Sequence, residues 1–259
     1  MKILPWLITG LLCCSFAQAG SEIQSASRAL PAGNQTAATT LQVEAGQLRM
    51  EQTDAEGKPA ESGLIFKNDT IYGLNHAGRT YTVVDRATIA RIADRMGQNY
   101  KKMQEQIEQM PPEQRDAMEV AMRGSKTEFA KSGRSEKVDG KNCQIWEGTR
   151  EGEKVIEYCV VPYASVAGGQ EVVNTMKNLM NLMQAMYDAM SGAAMGASPF
   201  TTEWEGVNSI DGFPVVVRVF EEGTPMSENR LKSSRSLAVP ADRFEVPTGY
   251  TLQKMEGVQ

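Results

Sequence analysis

The sequence predicts an α+β fold, namely a large antiparallel sheet or unclosed β-barrel covered by two long amphipathic helices with methionine stripes. Two observations predict it. Short runs that alternate apolar and polar residues, separated by Gly, Asn and Asp turns, occur in three blocks along the chain. Two stretches of helical period separate these blocks, each with an apolar stripe rich in methionine. Helices that cover one face of an antiparallel sheet are typical of such a plan.

The N-terminus has the pattern of an export signal. Lys2 provides a positive region, residues 3–14 are almost all apolar, and Ala17 and Ala19 form a small-x-small cleavage site before Gly20. We therefore predict a signal peptide over 1–19 and a periplasmic or secreted protein. The apolar run is shorter than the roughly 20 residues that a membrane helix needs, and no later stretch qualifies, so no membrane span is predicted.

A lipid anchor is the alternative at the same end of the chain. Leu11 lies three residues before Cys14, as in a bacterial lipoprotein box, but Cys13 stands where Gly or Ala is usual. Cleavage after Ala19 is therefore the preferred interpretation.

The first strand block follows a polar stretch. Residues 20–39 are small, polar and without period, which predicts a flexible leader and a single α+β domain over 40–257. Two alternating runs meet at Ala45-Gly46, and "GLIFKNDTIYGL" and "RTYTVVD" continue the pattern. They predict a meander of four or five antiparallel strands.

The first helical stretch begins after Asp85, which is well placed as an N-cap. Pro111-Pro112 ends it, and a shorter helix is expected up to Gly124. Its apolar stripe consists of Ile89, Ile92, Met96, Tyr100, Met103, Ile107 and Met110.

The second block contains the two cysteines that remain after the signal peptide. Asp139-Gly140 predicts a hairpin turn, and "NCQIWEGTREGEKVIEYCV" alternates on both sides of a second turn at 150–152. If residues 145 and 157 oppose each other there, Cys143 and Cys159 do so as well. An exported chain with this pair predicts a structural disulfide, which stabilises the fold by about 3 kcal/mol in the chain-entropy model.

The second helical stretch is "MKNLMNLMQAMYDAM", with five methionines, and Gly192 ends it. Three interpretations of the stripe stay open. The thioethers fill the core, they line a groove for a hydrophobic ligand, or Met180, Met183 and Met186 bind Cu(I). The groove interpretation assigns ligand binding to Met176, Leu179, Met180, Met183, Met186, Tyr187 and Met190.

The third block predicts strands at 202–210, 213–222 and 229–239, and a short strand or irregular edge at 244–252. Val215, Val216 and Val217 are apolar on consecutive residues, which indicates burial on both faces of the sheet.

Composition argues against several functions. The net charge is −5 and becomes more negative once Lys2 is removed, which disfavours nucleic acid and anionic membranes as partners. No nucleophile elbow, phosphate loop or zinc motif is present in the sequence, and its one histidine, His76, lies in a predicted turn and is expected to be a solvated surface residue. We therefore predict no enzyme activity, no catalytic residues, no cofactor and no metal.

Five strings together resemble a family of exported bacterial domains of unknown function, the 4412 family. They are "RMEQ", "FKNDTIYGLNHAGRTYTVVD", "VDGKNCQIWE", "EYCVVP" and "FEVPTGY", and the resemblance covers roughly residues 40–250. The plan of that family is similar to that of the LolA and LolB lipoprotein carriers, whose unclosed antiparallel barrel is lined by apolar side chains and lidded by helices. The resemblance implies a concave face that holds something apolar. The long second methionine helix departs from those carriers, so lipoprotein transport is not implied.

The function expected from the sequence is that of a periplasmic, non-catalytic binding or carrier module for a hydrophobic ligand, either a lipid or acyl chain or an apolar peptide. The alternatives are a structural or interaction protein of the cell envelope and a methionine-based Cu(I)-binding protein.

Overall fold

The computed structural model describes residues 20–95, 111, 127–191 and 206–254. Twelve strands form one sheet in these residues. Their bounds are β1 Ser21–Ala29, β2 Gln35–Glu44, β3 Gln47–Asp54, β4 Pro59–Lys67, β5 Thr70–Asn75, β6 Thr80–Val84, β7 Glu128–Val138, β8 Lys141–Arg150, β9 Glu153–Val161, β10 Phe213–Glu221, β11 Thr224–Ser236 and β12 Thr251–Leu252.

The strand order is β12-β6-β5-β4-β3-β2-β1-β11-β10-β9-β8-β7. Neighbouring strands are antiparallel except β12, which pairs with β6 in parallel. The order consists of two meanders, β1 to β6 and β7 to β11, which are joined where β1 pairs with β11. In that pair Ser21 lies opposite Ser236 and Ala29 lies opposite Ser227. The first strand therefore connects the two halves of the sheet.

The predicted tight turns are present. Ala45 and Gly46 both have positive φ, 52° and 74°, as do Asp139 and Gly140, at 47° and 81°. Two consecutive residues with positive φ make the type I′ turn, whose twist matches that of the flanking strands. The meander predicted from residue 40 onwards is therefore confirmed, with β2 to β6 as its five strands.

The prediction of a flexible leader over 20–39 is wrong. This segment contains β1 and the start of β2, and β1 pairs with β2 on one side and β11 on the other. Ser21, Ile23 and Ala26 are buried. Strand preference depends strongly on tertiary context, so pairing on both sides makes a strand of a segment whose small polar composition indicated disorder.

The prediction of two long helices covering the sheet is also wrong. The described residues contain a helix over 86–95, here α1, and one long helix, α2, at Gly169–Ser191. Asp85 is the N-cap of α1, since its Oδ1 accepts a hydrogen bond from Thr88 N at 2.7 Å. Of the predicted stripe, Ile89 is buried, and residues 96–110 and the shorter helix up to 124 lie outside the described residues.

Within the described residues, one long helix lies over the middle of the sheet. Seven adjacent strands, from β4 to β9 in the sheet order, contribute residues to one cavity beneath α2. Six spacings of about 4.8 Å span about 29 Å, and the 23 residues of α2 extend about 35 Å, so one helix is long enough to reach all seven strands. The large antiparallel sheet that was predicted is therefore kept, with a different helical cover.

The largest core cluster lies between α2 and the sheet. It joins Val172, Val173, Met176, Leu179 and Leu182 of the helix to buried strand residues. The strand predicted at 202–210 is a 3-10 helix at Gly206–Asn208 in its described part. Short 3-10 helices also occur at Tyr163–Ser165 and Ala241–Phe244.

A second cluster forms where the C-terminal segment packs on the other face of β4 and β5. Ile65 and Leu74 meet Val239 and Phe244 there, and all four are buried. Of the tail at 244–252, predicted as a short strand or an irregular edge, only Thr251–Leu252 forms a strand, β12. No helix of the described residues has both the length and the hydropathy needed to cross a membrane.

Candidate functional site: an apolar cavity beneath the long helix

A cavity of about 450 Å³ lies between α2 and one face of the sheet. Its volume falls within the range of about 300–1,000 Å³ that small-molecule sites occupy. Most of its lining is aliphatic, sulfur-containing or aromatic, and no charged residue of the described chain lines it. A low-polarity site of this kind favours apolar ligands through burial of their surface.

The sheet side of the cavity is built in rows across the strands. Ile23 of β1 lies opposite Leu41 of β2, Leu41 opposite Met50 of β3, and Met50 opposite Leu64 of β4. Directly opposed residues point to the same face, so these four side chains form one apolar row, and all four line the cavity. The alternating pattern that predicted the strands also produced this row.

The helix side of the cavity comes from the methionine stripe. Met176, Leu179, Met180 and Met183, which the groove interpretation assigned to ligand binding, line the cavity, and Val172 and Val173 extend the same surface toward the start of α2. Spacings of three and four residues place these side chains on one helical face.

The remaining predicted ligand-binding residues are placed differently. Met186 is half-buried and packs against the core cluster without lining the cavity. The side chains of Tyr187 and Met190 lie outside the described part of α2. Leu182, which strays from the predicted stripe, is nevertheless buried in the core.

The predicted disulfide between Cys143 and Cys159 is present, with a Cα–Cα distance of 5.2 Å. The predicted register that led to it is wrong by two residues. Ile145, not Cys143, lies opposite Cys159, because the turn is formed by Glu151 and Gly152 and a bulge follows between Gly148 and Thr149. The two cysteines are diagonal neighbours on one face, which still brings them within bonding distance.

An ion-pair network centres on Arg218 in β10. Its guanidinium donates to Glu136 at 2.8 and 2.9 Å, to Glu157 at 2.8 Å and to Glu228 at 2.9 Å. Glu157 and Glu228 are buried. The neighbour of Arg218, Val217, lines the cavity, and consecutive strand residues point to opposite faces, so the network lies on the face away from the cavity.

The carboxylates of this network are held in the charged form. Burial alone would raise the pKa of Glu157, but hydrogen bonds from Arg134 and Arg218 outweigh it and the pKa is lowered. The same balance of burial against Arg218 and Arg230 lowers the pKa of Glu228. A buried polar network with matched charges is a structural element, and it keeps this face of the sheet distinct from the neutral cavity.

His76 is not the solvated turn residue that its neighbours predicted. Its Nδ1 lies 2.7 Å from the Tyr250 hydroxyl and its Nε2 lies 2.9 Å from Glu51 Oε2. Glu51 in turn accepts a hydrogen bond from Arg49 Nε at 2.7 Å. Arg49 also donates to the carbonyl of Arg243 at 3.0 Å. These contacts fasten the C-terminal segment to the outer face of β3, a role that no sequence pattern indicated.

The polar residues at the cavity were also missed. Ser25, Ser27, Thr39, Gln52 and Asn229 line it together with the apolar row. Three of them, Ser25, Ser27 and Thr39, lie in the segment interpreted as a leader. Within the described residues, no group of three or more His, Cys, Asp or Glu side chains is arranged to hold a metal ion.

Comparison with known proteins gives only distant likenesses. No protein-family model matches the chain, and no curated protein matches it. Among solved structures, an uncharacterised conserved protein from Thermus thermophilus is 5% identical with a TM-score of 0.48, covering 92% of this chain and 91% of that one. A LolA superfamily protein from Nitrosomonas europaea is 8% identical with a TM-score of 0.34, covering 88% and 91%. PNGF-II is 10% identical with a TM-score of 0.37, and the match covers 93% of this chain and 31% of that protein.

These scores are low, so no argument about function rests on them. The resemblance to the 4412 family stays a prediction.

Proposed function

We propose that this protein is an exported, non-catalytic binding or carrier module for a hydrophobic ligand, either a lipid or acyl chain or an apolar peptide. The observation that carries the proposal is the apolar cavity of about 450 Å³ beneath α2. A helix packed only for stability would be expected to close such a space, since protein interiors pack densely and large voids cost stability.

The methionines support this interpretation. Met176, Met180 and Met183 all line the cavity; Met176 is buried, whereas Met180 and Met183 are half-buried. Thioether side chains are flexible and polarisable, so they repack around apolar partners of different shape. The half-buried methionines are therefore the ones best able to adapt to a ligand.

Export is the second part of the proposal. It is supported by the signal pattern of residues 1–19 and by the Cys143–Cys159 disulfide, since disulfides persist mainly in oxidising compartments. A periplasmic or secreted location suits a carrier of molecules that are poorly soluble in water.

The test is native mass spectrometry of the protein isolated without detergent from the producing cells. The variant is Met180→Asp, which places a charge in the cavity wall, and the matched control is Asn181→Asp, which adds the same charge at an exposed position of the same helix. We expect added mass that fragments to acyl chains or an apolar peptide on the wild type and on the control, and no added mass on Met180→Asp.

Other outcomes would assign another function. Ligand retained by folded Met180→Asp would contradict binding in this cavity. A bare wild-type chain would favour a structural or interaction protein of the envelope, and a copper increment would favour the soft-metal alternative. Circular dichroism of both variants establishes that they are folded.

A further inference from the structure

The sheet side of the cavity changes from apolar to polar along the strands. Beyond the row that contains Ile23 and Leu41, the next residues on the same face are Ser25 and Thr39, which lie opposite each other, and Thr39 lies opposite Gln52 of β3. All three line the cavity. An apolar row and a polar row therefore lie side by side on one face of the sheet.

One step further along β1, Ser27 lies opposite Asn229 of β11 and accepts a hydrogen bond from Asn229 Nδ2 at 3.0 Å. Ile23 and Leu41 are buried, while Ser27 and Asn229 are half-buried and Gln52 is exposed. The polar rows therefore occupy the more accessible end of the cavity. The apolar rows and the start of α2 occupy its deeper end.

The hydrogen-bonding groups of the first polar row are unused. Among the described residues, the side chains of Ser25, Thr39 and Gln52 make no hydrogen bond with the protein. They offer hydroxyl and amide groups, which both donate and accept. A ligand group that replaces water at these positions can keep its own hydrogen bonds only by pairing with them.

We propose that the ligand is an amphiphile with one apolar chain and an uncharged hydrogen-bonding end, such as an amide, ester or hydroxyl, and that the polar rows hold this end. The inference rests on the proposed function and specifies its ligand class. The described lining has no cation to neutralise a carboxylate or phosphate and no anion to neutralise an ammonium group. A charged end held among these partly accessible side chains would lose part of its hydration without gaining a counter-charge.

The orientation follows from the two ends of the cavity. The chain lies along Met176, Leu179 and the apolar row, and the neutral end lies among Ser25 and Thr39. The cavity distinguishes between ligands with different end groups through these hydrogen bonds, because an end group that leaves the side chains unpaired binds more weakly.

The experiment compares three ligands that differ only in their end group: decanamide, decanoate and decyltrimethylammonium. The assay measures how well each ligand displaces the fluorescent apolar probe N-phenyl-1-naphthylamine from the mature protein. Each ligand is used below its own critical micelle concentration. We expect decanamide to displace the probe at a concentration at least about tenfold lower than either charged ligand, because of the uncompensated desolvation of charge.

The variant Thr39→Val removes one hydroxyl with little change of shape. It is expected to weaken decanamide about 3- to 10-fold after correction for the affinity of the same variant for the probe, as the loss of one hydrogen bond predicts. Thr40→Val on the same strand is the matched control, because Thr40 points to the opposite face. Ser25→Ala is a second variant in the same row, in case Thr39→Val does not fold.

The outcomes separate the two proposals. If the probe binds but a charged ligand displaces it as well as decanamide does, or if Thr39→Val and Thr40→Val behave alike, the neutral-end inference is overturned and the carrier function stands. If the probe does not bind, or if Met180→Asp leaves its binding unchanged, the proposed function itself fails.

Discussion

Replacing Arg218 by methionine should destabilise the protein more than the removal of an exposed ion pair would. Arg218 is the guanidinium shared by Glu136, Glu157 and Glu228, and two of these carboxylates are buried. Removing one partner from a buried ion pair costs about 3–5 kcal/mol, because a buried charge is left without compensation.

The residual contacts place the expected cost at the lower end of that range. Glu157 keeps Arg134 at 2.7 Å, and Glu228 keeps Arg28 at 2.8 Å and Arg230 at 3.1 Å. We therefore expect a loss of about 3 kcal/mol at neutral pH. With a urea slope of about 3 kcal/mol/M for a chain of this size, the unfolding midpoint should fall by about 1 M.

The pH dependence provides the sharper test. The pKa values of Glu136, Glu157 and Glu228 are lowered in the folded protein. Their contribution to stability is fully present above the ordinary glutamate pKa of about 4.3 and is lost as the pH falls through the lowered folded values. At about pH 3 the wild type therefore loses part of the stabilisation that Arg218→Met already lacks at neutral pH. The difference in the free energy of unfolding between the two proteins should be smaller at about pH 3 than at neutral pH.

Urea unfolding at both pH values measures this difference. Arg86→Met is the matched control, since Arg86 pairs with Asp69 at an exposed site, with side chains 75% and 58% exposed, and such pairs contribute about 0–1 kcal/mol. A loss below about 1 kcal/mol for Arg218→Met, or a loss that is equal at both pH values, would refute the view that Arg218 compensates buried carboxylates.

Three other variants test the fold. Replacing both Cys143 and Cys159 by alanine should lower the free energy of unfolding by about 3 kcal/mol, and dithiothreitol should shift the urea midpoint of the wild type but not of the variant. Gly206→Ala should cost about 1–3 kcal/mol and lower the thermal midpoint, because the new Cβ would overlap the buried Tyr158 ring; an unchanged midpoint would contradict this packing. Tyr250→Phe removes one hydrogen bond to the histidine ring, so limited proteolysis should cut the C-terminal segment faster while the overall midpoint changes by about 1 kcal/mol or less; equal cleavage rates would argue against that role.

The sequence predicted the parts of the fold that local rules determine. Alternation and consecutive positive-φ turn residues located β2 to β6, and the Asp85 N-cap and apolar period located the start of α1 and all of α2. The apolar stripe of α2 also predicted four residues that line the cavity. Each of these features depends on spacings within one element.

The remaining features depend on contacts between distant segments. Ser25 and Thr39 have small polar side chains that are equally common in disordered chains, and only their pairing with other strands makes them part of a cavity wall. The turn at Glu151-Gly152 shifted the predicted register by one residue and the bulge at Val155 of β9 shifted it by one more, which alternation alone does not reveal. Arg218 and His76 gained their partners from strands and segments far away in sequence.

The pairing of β1 with β11 determines the order in which the sheet can assemble. Synthesis proceeds from the N-terminus, so β1 is the first of the described strands to emerge, while its partner β11 emerges after most of the chain. Until then the edge of β1 that will face β11 has unpaired backbone groups, and such edges are templates for aggregation. The sequence "SEIQSASRA" is short of large apolar residues, and low hydrophobicity disfavours cross-β association. The small polar composition that made β1 difficult to recognise as a strand therefore also protects its unpaired edge from aggregation. β11, the last long strand of the described residues to emerge, then joins the two halves into one sheet.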